Sequence, residues 1–265
     1  MAPEGSFNKG VVYAPEDRAV EDPKFEWQAS VAGIPAALAL GVLFHFVMPG
    51  LQRIFFGMPV HELGHAVTAW LCGYFAIPTL WKTLVFSDSR SVLWPLIVAG
   101  GLAYLAFLAW RAEKMGCVAI IAAVLVVQGF CTLVIREETA EMLFTWGGDG
   151  MGMVLAAALM AAFFFGKRTQ LYRGSVRWGL LVIGAAAFAD MAGTWFTALH
   201  NADAIPFGEN EGSGLSDPMK LLEDHGWQAA TIVRRYVMVA MASLAGLAAV
   251  YAWGVRRAAR MMREG

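Results

Sequence analysis

The feature that most constrains this chain is the spacing of its charges. Between the charged clusters lie apolar stretches at approximately 30–48, 55–80, 92–110, 117–135, 151–165, 176–199 and 236–255. Most approach the roughly 20 residues that a helix needs to cross the hydrocarbon core of a bilayer. The stretch at 151–165 is short, so its helix is expected to begin earlier. Of the 265 residues, 58% are hydrophobic and 15% charged. Soluble domains carry about 25% charged residues, so this chain has too few to clothe a soluble surface. The pattern predicts an all-α, polytopic integral membrane helix bundle of about seven transmembrane helices. It divides into a polar N-terminal segment, 1–28, and a single membrane domain, 29–265, with no internal repeat or low-complexity linker.

The N-terminal segment lacks the basic start and apolar core of a signal peptide. The net charge of −1 and the absence of a basic stripe on any soluble segment give no ground for nucleic-acid binding. Cys72, Cys117 and Cys131 all fall in apolar stretches with no paired spacing, and read as small buried hydrophobes. Lys167, Arg168, Arg173 and Arg177, the residues Arg256, Arg257, Arg260 and Arg263, and the pair Arg111 and Lys114 are the strongest basic clusters. Basic residues concentrate in cytoplasmic loops. With seven spans, this rule puts the C-terminus in the cytoplasm of a plasma or inner membrane and the N-terminus outside. The acidic segment 201–228 then also lies outside, either as a solvated loop or as a cap over a substrate entrance. Its part 216–224 reads as a short helix capped by Ser216.

One motif carries chemistry. His61-Glu62-Leu63-Gly64-His65 matches H-E-x-x-H inside an apolar stretch. On a helix, residues i and i+4 share a face, so both imidazoles can bind one ion, with the intervening glutamate beside it. Zinc suits two neutral nitrogen donors and keeps a position open for water. Glu62 then serves as general base toward that water and passes the proton to the leaving amine. Ionisable groups within membrane helices are costly and usually functional. Two other readings use the same residues: histidines satisfied by hydrogen bonds within a bundle, and haem ligation. The latter fits two imidazoles on one helix face poorly. His45 and His200 read as packed or interfacial histidines rather than ligands. Gly100, Gly101, Gly184 and Gly193 suit close helix packing.

The stretch Val60-His61-Glu62-Leu63-Gly64-His65-Ala66-Val67 in an apolar segment resembles the site-2 protease group of intramembrane zinc metalloproteases. Two further stretches are faintly similar: Gly147-Gly148-Asp149-Gly150-Met151-Gly152 ahead of an apolar helix, and Ser216-Asp217 with Leu221 and Trp227 before the last helix. The group's second motif, Asn and Pro ahead of Leu-Asp-Gly, has no counterpart here. The resemblance implies an aspartate as third zinc ligand. Asp190 is the acid within the sixth span, and the second and sixth spans enter from the same side, so Asp190 is the favoured ligand. Asp149 or another residue remains open, although the expected helix bounds put Asp149 at an outer edge, where it would be hydrated or cap a helix.

The reading is therefore a zinc-dependent intramembrane metalloprotease in a lipid bilayer that hydrolyses membrane-protein substrates, with His61, His65 and Asp190 on the metal and Glu62 as catalytic base. The alternative is a non-catalytic membrane protein, a metal-binding transporter or an assembly subunit, that retains the motif. Oligomeric state is not legible in the sequence.

Overall fold

The computed structural model of the chain describes residues 23–86, 89–165, 176–210 and 214–264. The expected polar segment up to residue 22 lies outside the described residues, as do Lys167, Arg168, Arg173 and Glu211. In chain order the elements are α1 (Pro23–Val47), α2 (Pro49–Gln52), a π-helical turn (Arg53–Gly57) and α3 (Met58–Leu71). Next come β1 (Ala76–Pro78), β2 (Thr83–Val85), α4 (Leu93–Arg111), α5 (Met115–Leu133), α6 (Glu137–Ala161) and α7 (Val176–Ala198). The chain closes with β3 (Glu209–Asn210), β4 (Gly214–Leu215), α8 (Asp217–Glu223) and α9 (Ala229–Glu264). The strands form two small antiparallel pairs, β1 with β2 and β3 with β4. The fold is an all-α bundle.

Six helices among the described residues are long and apolar enough to cross a membrane. The expected second span, 55–80, is the exception. Its helix stops at Leu71, where Gly73 takes a φ of +91°. Tyr74 N–H donates to Ala69 O and Gly73 N–H to Trp70 O. This is a glycine-dependent C-terminal cap, and it turns the chain out of the helix. The residues that follow pair as the β1–β2 hairpin instead of extending the span.

Neighbour contacts fix the directions of the helices. In α1 and α7, Gly33 meets Leu181, Gly41 meets Ala185 and His45 meets Gly193, so the two run parallel. Helix α6 runs antiparallel to α7: Trp195 reaches Asp149, and Gly184 packs on Ala156. Helices α6 and α9 are parallel, with Tyr236 bonded to Trp146 O and Gly254 against Phe164. As a result α1 begins and α9 ends at the same end of the bundle. That end also holds the buried Arg177–Glu26 pair and the Tyr251 hydroxyl bonded to Val31 O. The sequence-based expectation put the two ends on opposite sides. The structure differs because the HELGH segment does not run the length of the bundle. Gln52 bonds to Gly41 O and Ala186 O, beside the middle of α7, and Thr68 packs on Gly147 near the start of α6. The segment dips into the bundle and climbs back to the end where α1 stopped.

The core lies among α1, α6, α7 and α9, with Met153, Met160, Leu181, Met191, Trp195, Ile232 and Tyr236 fully buried. Helices α4 and α5 are different. No side chain of α4 is buried and only Gln128 of α5 is, while Leu133 is 82% exposed. In water so large an apolar face would drive association, whereas lipid tails cover it without penalty. The chain is a membrane protein.

Candidate metal centre

Helices α3 and α6 cross at glycines. A Cβ on Gly64 would lie 2.5 Å from Gly147 O and 2.6 Å from Gly148 O, and one on Gly148 would lie 2.5 Å from His61 Cε1 and from His65 Nε2. Only hydrogen at these positions lets the backbones close and leaves room for both imidazoles. Of the glycines expected to mediate packing, Gly184 and Gly193 do make close contacts. Gly100 and Gly101 face open space.

The imidazoles meet as the motif predicts, with Nε2 of His61 and Nε2 of His65 3.0 Å apart. The third group at this point is Asp217, whose Oδ2 lies 3.1 Å from His61 Nε2 and 2.9 Å from His65 Nε2. Among the described residues, His61, His65 and Asp217 form a set able to hold one ion. A tetrahedral ion with ligands at about 2.0–2.1 Å separates its ligand atoms by about 3.3 Å. Zinc would therefore enter with shifts of a few tenths of an ångström, and two imidazoles with one carboxylate form a donor set it accepts.

The far side of each ring explains why both Nε2 atoms point inward. His61 Nδ1 lies 2.7 Å from Asp149 Oδ1, and His65 Nδ1 lies 2.6 Å from Phe144 O. Both of these partners accept hydrogen bonds, so each Nδ1 carries the proton and each Nε2 presents a lone pair. Two lone pairs and a carboxylate oxygen thus converge on one point, an arrangement that a metal ion or a proton relieves. Asp149 is held in turn: Trp195 Nε1 donates to its Oδ2 at 2.7 Å, and Trp195 stacks on Tyr236 with ring centroids 4.1 Å apart.

Asp190 does not reach the imidazoles. Its Oδ2 is 3.0 Å from Arg53 NH1, and it packs on Gly57, where a Cβ would overlap the carboxylate. Helices α3 and α7 do run in the same direction, as the depth argument assumed. But α3 starts deep in the bundle, so Asp190 falls level with the π-turn, about one helical turn short of His61. Asp149 also departs from expectation. Because α6 begins at Glu137, Asp149 is a buried mid-helix residue and not an edge one. Its oxygen is 3.5 Å from the same Arg53 NH1, which the two acids share.

Asp217 opens α8, which is anchored by the buried Pro218 and Leu221. Ser216 precedes it with extended backbone, but its hydroxyl makes no capping bond. Sequence reasoning did not bring Asp217 together with the two histidines. The available signal was an acid at the first turn of a short amphipathic helix inside the acidic loop.

Glu62 is buried, and Thr83 Oγ1 of β2 lies 2.8 Å from its Oε2 and 2.7 Å from its backbone carbonyl. His61, Glu62, His65 and Asp217 all line one cavity of about 560 Å³, walled also by Lys82 and Thr83 of the hairpin and by Pro206 and Lys220 of the loop. His45 packs against Gly193, and His200 is exposed, so neither joins the site. No family model, no curated protein and no solved structure matches this chain.

Proposed function

We propose that the chain is a multi-pass zinc-dependent hydrolase of peptide bonds in or near membrane segments of protein substrates, similar in chemistry to the site-2 protease group. The observation that carries the reading is the convergence of His61 Nε2, His65 Nε2 and Asp217 Oδ2, with both Nδ1 atoms already engaged. Three protein ligands leave a fourth position for water, the pattern of catalytic rather than structural zinc. Zinc, when bound there, supplies the Lewis acidity that makes water a nucleophile near neutral pH.

The chain's own residues do the rest. His61, His65 and Asp217 hold the ion, and Asp149 and the Phe144 carbonyl fix the tautomers. Glu62 takes the proton of the attacking water at its carboxylate and returns it to the leaving amine nitrogen. The Thr83 hydroxyl orients that carboxylate. A substrate must be extended where it is cut, because a helix hides its carbonyls in its own hydrogen bonds. His61, Glu62, His65 and Asp217 line a cavity of about 560 Å³, which supports this reading over a sealed metal-storage or assembly site.

The basic residues Arg111, Lys114 and Arg177 and the arginines 256–263 all lie at the end of the bundle where α1 begins and α9 ends. The positive-inside rule puts that end in the cytoplasm of a plasma or inner membrane. The test is zinc content and cleavage of a transmembrane peptide by the purified protein in proteoliposomes. Glu62→Gln should keep zinc and lose cleavage, and His61→Ala should lose both. Zinc loss in Glu62→Gln equal to that in His61→Ala would sink the assigned roles.

A further inference from the structure

The open side of the centre lies at the opposite end of the bundle from the basic clusters. Every wall of the cavity beyond the helices comes from two segments at that end: the β1–β2 hairpin, through Trp81, Lys82 and Thr83, and the 201–228 loop, through Pro206, Ser216 and Lys220. The hairpin follows the end of α3, and the loop joins the end of α7 to the start of α9. Gly152, which meets the His61 backbone, also packs on Met191. Met191 lies seven residues before the end of α7 at Ala198, which at 1.5 Å per residue puts the centre about 10 Å below that end.

The cytoplasmic end, by contrast, is closed around the Arg177–Glu26 pair, the Phe163 and Phe164 rings and the Tyr251–Val31 bond.

We infer that the centre is served from the extracytoplasmic side and takes extended juxtamembrane segments of membrane proteins that lie in the outer leaflet boundary. The inference rests on the hydrolase reading for its substrate class, but its geometry can be tested without any cleavage. Asp217 then has a second consequence. The third ligand sits on the same loop that rims the entrance, so the loop that meets substrate also completes the metal site.

The experiment uses the full chain in intact cells and a membrane-impermeant maleimide, with labelled positions identified by peptide mass spectrometry. Native Cys117 is exposed at the start of α5, at the cytoplasmic end, and serves as the internal control. Lys220→Cys and, as a second variant, Lys82→Cys report the cavity rim. Label should appear at the introduced cysteines in intact cells and at Cys117 only after permeabilisation. Label at Cys117 from outside, with none at either introduced cysteine, overturns the inference, and so does equal labelling of both ends. A second arm loads sealed vesicles with radiolabelled zinc and adds EDTA outside. Right-side-out vesicles should lose protein-bound zinc and inverted ones keep it until detergent is added, and the reverse pattern overturns the inference. Maleimide data as expected from a protein that never takes up zinc would leave the access side standing and reject the hydrolase reading instead.

Discussion

Replacing Asp149 by asparagine separates the site's geometry from its sequence pattern. The carboxylate accepts from two buried donors, one on each oxygen: His61 Nδ1–H at 2.7 Å and Trp195 Nε1–H at 2.7 Å. Asparagine keeps one acceptor oxygen, so one donor must face an NH2 group. A buried donor left unsatisfied costs about 1–3 kcal/mol. At 1.4 kcal/mol per factor of ten, this is about 5- to 140-fold in an equilibrium constant. The same size, about 10- to 100-fold in metal affinity, is typical when the outer partner of a metal-bound histidine is lost. The cost appears in zinc affinity because the bound form needs the Nδ1–H tautomer, whereas a metal-free ring can turn. Zinc affinity is read by competition against a chromogenic chelator in detergent, with a melting curve as the folding control. Asp217→Asn should lose more affinity than Asp149→Asn, since it removes the charged ligand itself. Asp190→Asn should lose the least, because its carboxylate touches Arg53 and not an imidazole. Wild-type affinity in Asp149→Asn combined with a large loss in Asp190→Asn would refute the geometry.

Thr83→Val should leave zinc content unchanged and slow cleavage by roughly 2- to 10-fold, the worth of one ordinary hydrogen bond to Glu62, measured with the same peptide in proteoliposomes. Gly64→Ala should lose the folded protein in a detergent stability assay, because its Cβ meets two backbone carbonyls that cannot swing aside; Gly100→Ala, with open space around it, should melt at the wild-type temperature or above. Arg53→Met should lower stability by about 3–5 kcal/mol, since it strands two buried acids. The double variant with Asp190→Asn should recover part of that loss, and strict additivity in the thermodynamic cycle would show that the three groups are not coupled.

Most of the fold was legible because apolar length is a strong signal in membranes. Six of the seven expected stretches coincide with long apolar helices, displaced mainly at their ends: α1 starts at Pro23, α6 at Glu137 and α9 at Ala229. Those ends are charged or polar turns of helix, which hydropathy does not register. The failure at 55–80 has a readable cause. Gly73 and Pro78 interrupt that run and end its helix, and the helical stretch before them, 49–71, starts beside the middle of α7 rather than at the far end of the bundle. The error then propagated, because an odd number of spans puts the two ends of a chain on opposite sides and an even number puts them on the same side. The expected orientation of the C-terminal arginines uses only their charge and does not depend on the count.

The site was legible to the extent that it is local. His61, Glu62 and His65 share one helix, and the i, i+4 spacing brings the imidazoles to 3.0 Å with no tertiary information. The third group depends on how separate elements meet, and there the reasoning used a rule that is right but incomplete. An acid buried in an apolar helix needs a partner, and Asp190 does have one. The rule does not say whether the partner is a metal or an arginine. Arg53 sits just outside the boundary assigned to the second span, so it was not weighed as a group inside the bundle. The π-turn at Arg53–Gly57 brings it there, and with Gly57 it makes the pocket that Asp190 fills. Once Arg53 is inside, a charge argument favours Asp217. Asp149 and Asp190 already share one guanidinium, whereas Asp217 has only the two imidazoles as polar partners among the described residues. If both rings are neutral Nδ1–H tautomers, its negative charge has no counter-charge within reach until a cation occupies the point between them.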